Sequence, residues 1–176
     1  NEIFARLEEW KLVLKSPQSG ASPEHSYGYL PKRYLFDTGI LRHFRETSVP
    51  SISLIENAGP EIRTAIGGTI ENQVAIDFAR NNAELSGWKK TSSGMEIDFI
   101  IKVNNNPYPC ECKAAMRIKD QHLRGVAEYM ELYNVKRGFI VSAAPYRVIN
   151  VKPGVIVNIP LYAAGRAVLE KEVAEK

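Results

Sequence analysis

The strongest constraint on the fold lies at residues 95–115, where "MEIDFIIKV" is followed across "NNNP" by "PYPCECKAA". The first stretch alternates around an apolar set and the second is rich in strand-compatible residues, so the two predict a β-hairpin. On ideal strands Glu96 and Asp98 share one face, opposite Ile97, Phe99 and Ile101. On the second strand Glu111 and Lys113 share a face opposite Cys110 and Cys112. A turn through two or four residues places Asp98 across from Glu111 or Lys113. A three-residue turn without a bulge places it across from a cysteine, because a slip of one residue reverses every face.

The flanking sequence frames this hairpin with helices. "TIENQVAIDFARNN" carries Ile70, Val74 and Phe78 at i, i+4 and i+8, with Thr69 as the expected N-cap and Glu71 in the first turn. "GWKKT" reads as a short strand. "KDQHLRGVAEYMELYN" forms a second helix with Leu123, Val126, Ala127, Met130 and Tyr133 on its apolar stripe. "RGFIVSA" is a compact apolar strand of the kind found inside a sheet. Residues 69–142 therefore run α-β-β-β-α-β, which predicts an α/β fold around one mixed sheet. Upstream, residues 1–16 read as a helix and a short strand, and "SPQSGASPEHSYGYLPK" as a loop or boundary. "EIRTAIGG" ends on two glycines, and the tail after "VIVNIP" predicts a terminal helix.

Composition excludes several classes. Apolar residues are 44% and charged residues 24% of the 176, an ordinary globular balance. No apolar run approaches the ~20 residues of a membrane-spanning helix, and no secretory leader is visible. The chain opens "NEIFARLEEW" without an initiator Met and enters directly on a helical pattern, which reads as a piece of a longer protein. No G-x-x-x-x-G-K-[ST] loop occurs, so no ATP site is expected in these residues. The net charge of +3 permits nucleic-acid binding without arguing for it. Cys110 and Cys112 are poorly placed for a disulfide and too few for a structural zinc site, so they read as buried thiols of a cytoplasmic protein.

In the favourable register two carboxylates and a lysine converge on the polar side of the hairpin. Close carboxylates raise one another's pKa unless a cation sits between them. Hard oxygen donors suit magnesium or manganese, which can polarise a phosphodiester and acidify a bound water. Lys113 can then neutralise charge developing on phosphate, and Glu71 can supply a third carboxylate. Each residue also has an ordinary structural reading. Charged pairs on strands make cross-strand salt bridges, Glu71 can complement a helix dipole, and Glu-x-Lys recurs at Glu9-Trp10-Lys11 with no sign of chemistry.

The order Glu71, Asp98, Glu111-x-Lys113 resembles the restriction-endonuclease-like PD-(D/E)xK superfamily, with Ile97 where proline often precedes the Asp. The blocks "KRYLFDTGIL", "GTIENQVAIDFAR", "TSSGMEIDFII", "PCECKAA", "HLRGVAEYM" and "RGFIVS" also resemble a family of uncharacterised domains. Those domains lie C-terminal to AAA-type P-loop ATPases in bacteria and archaea. The resemblance implies a restriction-endonuclease-like core with a central mixed sheet flanked by helices. It implies that residues 1–31 end a preceding winged-helix-like segment with its linker, and that 32–176 form the endonuclease-like domain.

The same resemblance implies roles by position. Asp98 and Glu111 would be metal ligands with the Cys112 carbonyl as a third, Lys113 would orient the hydroxide, and Glu71 would be an outer ligand. Magnesium or manganese would be the cofactor, the N-terminal ATPase of the same polypeptide the partner, and nucleic acid, DNA or RNA, the substrate. Lys89, Lys90, Arg117, Lys119 and Arg124 are the candidate phosphate contacts. Two alternatives stay open: a non-cutting module that binds nucleic acid or a partner and regulates the ATPase, and a purely structural or dimerising domain.

Overall fold

A computed structural model describes residues 2–21, 29–46, 57–103 and 105–165. Helix α1 (Glu2–Glu9) leads into β1 (Val13–Ser16), β2 (Gln18–Gly20), β3 (Lys32–Leu35) and α2 (Thr38–Phe44). The long helix α3 (Pro60–Arg80) precedes β4 (Glu84–Lys90), β5 (Met95–Val103) and β6 (Asn106–Lys113). Helix α4 (Asp120–Leu132), β7 (Arg137–Ser142), β8 (Arg147–Val151) and β9 (Gly154–Pro160) complete the described chain.

The architecture is mixed α/β, with a seven-stranded sheet in the order β2-β4-β5-β6-β7-β9-β8. The β4-β5-β6 meander is antiparallel, β6-β7-β9 is parallel, and β8 returns antiparallel on β9. Strands β1 and β3 pair separately as an antiparallel ribbon. The expected α-β-β-β-α-β order is present as α3-β4-β5-β6-α4-β7. The hairpin pairs Val103 with Asn106 and Phe99 with Cys110, so its turn is two residues long, and the same register carried one step further sets Asp98 opposite Glu111.

Each face of the sheet buries its own core. On one face Val74, Ala75 and Phe78 of α3 pack on Phe99, Ile101, Cys110, Cys112, Phe139 and Val141. Phe78 meets Phe99 edge-on, ring centroids 5.6 Å apart, the arrangement their ring quadrupoles favour. On the other face Val126, Tyr129 and Met130 of α4 cover Trp88, Ile97, Ile100, Ile140 and Ile156. Both thiols are free and buried on the α3 face, as their spacing predicts.

Several local expectations require correction. Strict alternation fails on β5, because Ile97 belongs to the α4 core while Phe99 and Ile101 belong to the α3 core. The cause is a β-bulge. Ser86 pairs with Ile100 and Trp88 with Ile97, so Gly87 alone faces both Asp98 and Phe99. An extra residue on one strand reverses which side follows it.

Thr69 is not an N-cap. Its hydroxyl donates to the Ala65 carbonyl at 3.0 Å inside α3, and Glu71 lies mid-helix. The helix starts at Gly59-Pro60, proline being well suited to the first helical position. Gly67 and Gly68 cost roughly 1 kcal/mol each relative to alanine, but the buried face from Ile66 to Phe78 carries the helix through them. Gly68 also admits the Arg45 side chain, whose guanidinium nitrogen would lie 2.8 Å from a Cβ there.

Part of the expected loop after residue 16 forms β2 beside β4, and β8 was not anticipated. On α4, Tyr129 is buried, whereas Tyr133 caps the C-terminus and is 42% exposed. The predicted terminal helix lies outside the described residues beyond Gly165.

Strand β3 is tied to α3 by one side chain. Asn72 accepts from the Leu35 amide at 2.8 Å and donates to the Leu35 carbonyl at 2.9 Å, as a neighbouring strand would. Asn72 is 3% exposed, so its removal orphans two backbone groups where water has little access. Asn72→Ala is expected to lower unfolding stability by about 2–4 kcal/mol, read as a shifted urea midpoint with an unchanged slope.

Candidate functional site

The polar residues gather at one end of the sheet, beside the β5 bulge. Asp98 is the joint. Its Oδ1 accepts from Lys32 Nζ at 3.2 Å, and its Oδ2 accepts from the Cys112 amide at 2.9 Å. Its own amide donates to Glu111 Oε2 at 3.3 Å. Side-chain oxygens thus take over where the regular β5-β6 ladder stops, and the bulge directs one carboxylate across the strand gap. Lys113 Nζ binds Glu111 Oε1, closing the Glu-x-Lys pair within one strand.

Two residues of β3 enter from the other side. Lys32 Nζ lies 2.9 Å from Glu71 Oε1, 2.7 Å from Glu96 Oε1 and 3.2 Å from Asp98 Oδ1. Tyr34, two residues on and so on the same strand face, donates its hydroxyl to the same Glu71 oxygen at 2.7 Å. Lys89 holds the other oxygen of Glu96 at 3.1 Å.

The predicted set is therefore assembled as two linked halves. Glu71 meets Asp98 only through Lys32, while Glu111 and Lys113 meet Asp98 directly through the hairpin. Among the described residues, no group of three or more His, Cys, Asp or Glu side chains is gathered as a metal would require. The chemistry of the donor set still suits a hard cation at Asp98 and Glu111, which stand adjacent and mutually repelling. The Glu71 side is filled by the Lys32 ammonium.

The electrostatics follow from this crowding. Burial, then the charge of Glu71, pushes Asp98 above the usual carboxylate range, with Lys32 offsetting part of the effect. Burial and the charge of Asp98 push Glu111 up to about 7 despite Lys113. Burial works against the Lys32 ammonium, yet Asp98 and Glu71 outweigh it and hold its pKa above the ordinary lysine value. Lys113 is likewise raised, Glu111 overcoming its burial. Burial and then Glu71 raise Tyr34. In Glu96 burial is outweighed by Lys32 and Lys89, so this carboxyl is lowered.

The five residues expected to contact phosphate have varied surroundings. Lys89 is paired with Glu96, and Lys90 with Glu128. Lys90 and Arg124 line an open groove of about 620 Å³ that also includes Glu128, Glu131 and Lys152. Arg117 and Lys119 precede α4, where the Lys119 amide donates to His122 Nδ1 at 3.2 Å.

Sequence reasoning missed Lys32, Tyr34, Glu96 and His122 as members of the centre. The i, i+2 spacing of Lys32 and Tyr34 was legible; their meeting with Glu71 was not, since 37 positions separate Tyr34 from it. His122 lies close enough to Lys113 and Lys119 for burial and those charges to lower its pKa.

Residues 66–162 match the family model described as a domain of unknown function, DUF4143. The chain belongs to this family. Glu71, Asp98, Glu111 and Lys113 all lie within the matched DUF4143 region, whereas Lys32 and Tyr34 precede it. No curated protein and no solved structure matches the chain. No helix among the described residues is long and apolar enough to cross a membrane.

A pH dependence follows from Glu111. Its folded pKa, about 7, lies above the ordinary carboxyl value, so the folded state keeps a proton that the unfolded chain releases. Stability from this group is full below the unfolded value near 4.5 and is lost as pH rises toward 7. Wild type in chelator should lose stability relative to Glu111→Gln across that window, measured as the difference between their urea midpoints at successive pH values. Parallel pH profiles would contradict it.

Proposed function

We propose that this domain is a nuclease-like module that hydrolyses phosphodiester bonds in nucleic acid with the help of a magnesium or manganese ion. The observation that carries this reading is the odd register of the β5-β6 hairpin, which brings Asp98 into direct contact with Glu111 beside Lys113. Asp98 and Glu111, with the Cys112 carbonyl, would hold the ion, which when bound supplies Lewis acidity toward phosphate and lowers the pKa of a water. Lys113 keeps its proton and presents positive charge to the phosphate. Glu71 is the outer carboxylate, oriented by the Tyr34 hydroxyl.

In this reading Lys89, Lys90, Arg117, Lys119 and Arg124 contact flanking phosphates. The partner is an AAA-type ATPase in the same polypeptide, while β1 and β2 belong with the sheets of this domain. Membership in DUF4143 supports the ATPase context, since that family is often found after ATPases.

A second reading is favoured by a specific observation. Both oxygens of Asp98 and both of Glu111 already accept from protein donors: Lys32, Cys112 N, Asp98 N and Lys113. A centre satisfied from within suits a domain that binds nucleic acid or a partner without cutting and so regulates the ATPase.

Plasmid and branched DNA incubated with Mg²⁺ or Mn²⁺ separate the two. Wild type is expected to cleave, and Lys113→Ala and Asp98→Asn to lose on the order of 100-fold or more in rate, the scale of losing one electrostatic stabiliser. Equal cleavage by all three proteins, or none under any condition, overturns the nuclease reading. DNA affinity falling steeply with salt in the absence of cleavage would favour the binding module.

A further inference from the structure

We infer that Lys32 is the resident counter-ion of the carboxylate centre, and that a divalent cation reaches Asp98 only by competing with it. An ammonium has three N–H donors, and Lys32 has three carboxylate partners: Glu71 at 2.9 Å, Glu96 at 2.7 Å and Asp98 at 3.2 Å. Its donor capacity is matched one to one. The partners come from α3 and β5, 39 to 66 positions away, so no local pairing accounts for the cluster.

The spacing is that of an ammonium. Oxygens at 2.7–3.2 Å from a central nitrogen stand well outside the ~2.0–2.1 Å that magnesium requires. An ion would have to draw the carboxylates inward and expel the ammonium. Lys32 is also anchored against leaving. Its strand is clamped through Leu35 by Asn72, and Tyr34 on the same strand face holds the very Glu71 oxygen that Lys32 binds.

Charge balance requires some cation here. Glu71, Glu96, Asp98 and Glu111 meet three ammonium groups, Lys32, Lys89 and Lys113. Lys89 reaches only Glu96, and Lys113 is bound to Glu111. Removing Lys32 leaves Glu71 and Asp98 facing each other without a cation between them, a repulsion that a proton or a cation from solution would relieve.

The inference rests on the nuclease-like reading only in taking Asp98 as a place an ion visits, and its test needs no DNA. Lys32→Met keeps the side chain as far as Cε and removes the charged ammonium. Isothermal titration with Mn²⁺ should show at least tenfold tighter binding to Lys32→Met than to wild type. The variant should melt at a lower temperature in chelator and recover with Mn²⁺, as binding to the folded state alone requires, with a smaller shift for wild type.

A merely structural lysine would give the loss of stability without recovery by Mn²⁺, and that result, or equal affinities, overturns the inference. Should the variant not fold even with Mn²⁺, reductive methylation of wild type decides. Lys32 should label more slowly than exposed Lys11 in chelator, and faster when Mn²⁺ saturates; labelling of Lys32 as fast as Lys11 in chelator overturns the inference. A gain in Mn²⁺ affinity with no cleavage by any variant leaves this inference standing and removes the nuclease reading. Cleavage by wild type with unchanged affinity in Lys32→Met does the reverse.

Discussion

The bulge at Asp98-Phe99 is the constraint on which the rest of the molecule depends. Without it β5 would present Ile97, Phe99 and Ile101 to one helix and leave the other face short of apolar surface. With it, Ile97 and Ile100 serve α4 while Phe99 and Ile101 serve α3. The residue at the point of reversal is a carboxylate, disfavoured within a regular strand. Asp98 is tolerated there because the ladder is interrupted: its Oδ2 answers the Cys112 amide, and its amide finds Glu111. One local irregularity thus completes two cores and places the side chain that, among the described residues, links both halves of the polar centre.

Four partly buried carboxylates at the end of a sheet would destabilise the fold unless cations or protons came with them. Taking such charges out of water costs several kcal/mol per ion unless attraction and hydrogen bonding repay it. The protein supplies three ammonium groups, and the one at the centre comes from a strand outside the main sheet. The β1-β3 ribbon is therefore more than an appendage of the α/β layer. It carries Lys32 and Tyr34 to Glu71, and Asn72 holds it there.

Much of the site was legible before any coordinates. Asp98, Glu111 and Lys113 belong to one hairpin, so the three residues could be read locally; their contact hung on the turn length, which the pairing of Val103 with Asn106 settles. The buried thiols followed from the same alternation. Glu71 was legible as a carboxylate on the helix that precedes the hairpin, though not its mid-helix position, because paired glycines at 67 and 68 argue for a break that packing overrides. The surroundings of the five lysines and arginines expected at phosphate were not legible. Positive charge in a sequence says nothing about which carboxylate will claim it, and Glu96 and Glu128 claimed two of the five.

The sequence by itself determined the order of elements from α3 to β7 and the Glu-x-Lys pair, because periodicity acts over a few residues; it left the hairpin register open, and the two-residue turn of the folded chain made it odd. Only the tertiary structure decided that β5 changes face at Asp98, since the extra residue is defined by its partner strand. Only it decided that Lys32, far from Glu71 and Asp98 in the chain, stands between them. Long-range ion pairing leaves no periodic trace: crowded carboxylates need a cation or a proton, but which lysine answers them depends on where the folded chain brings its strands.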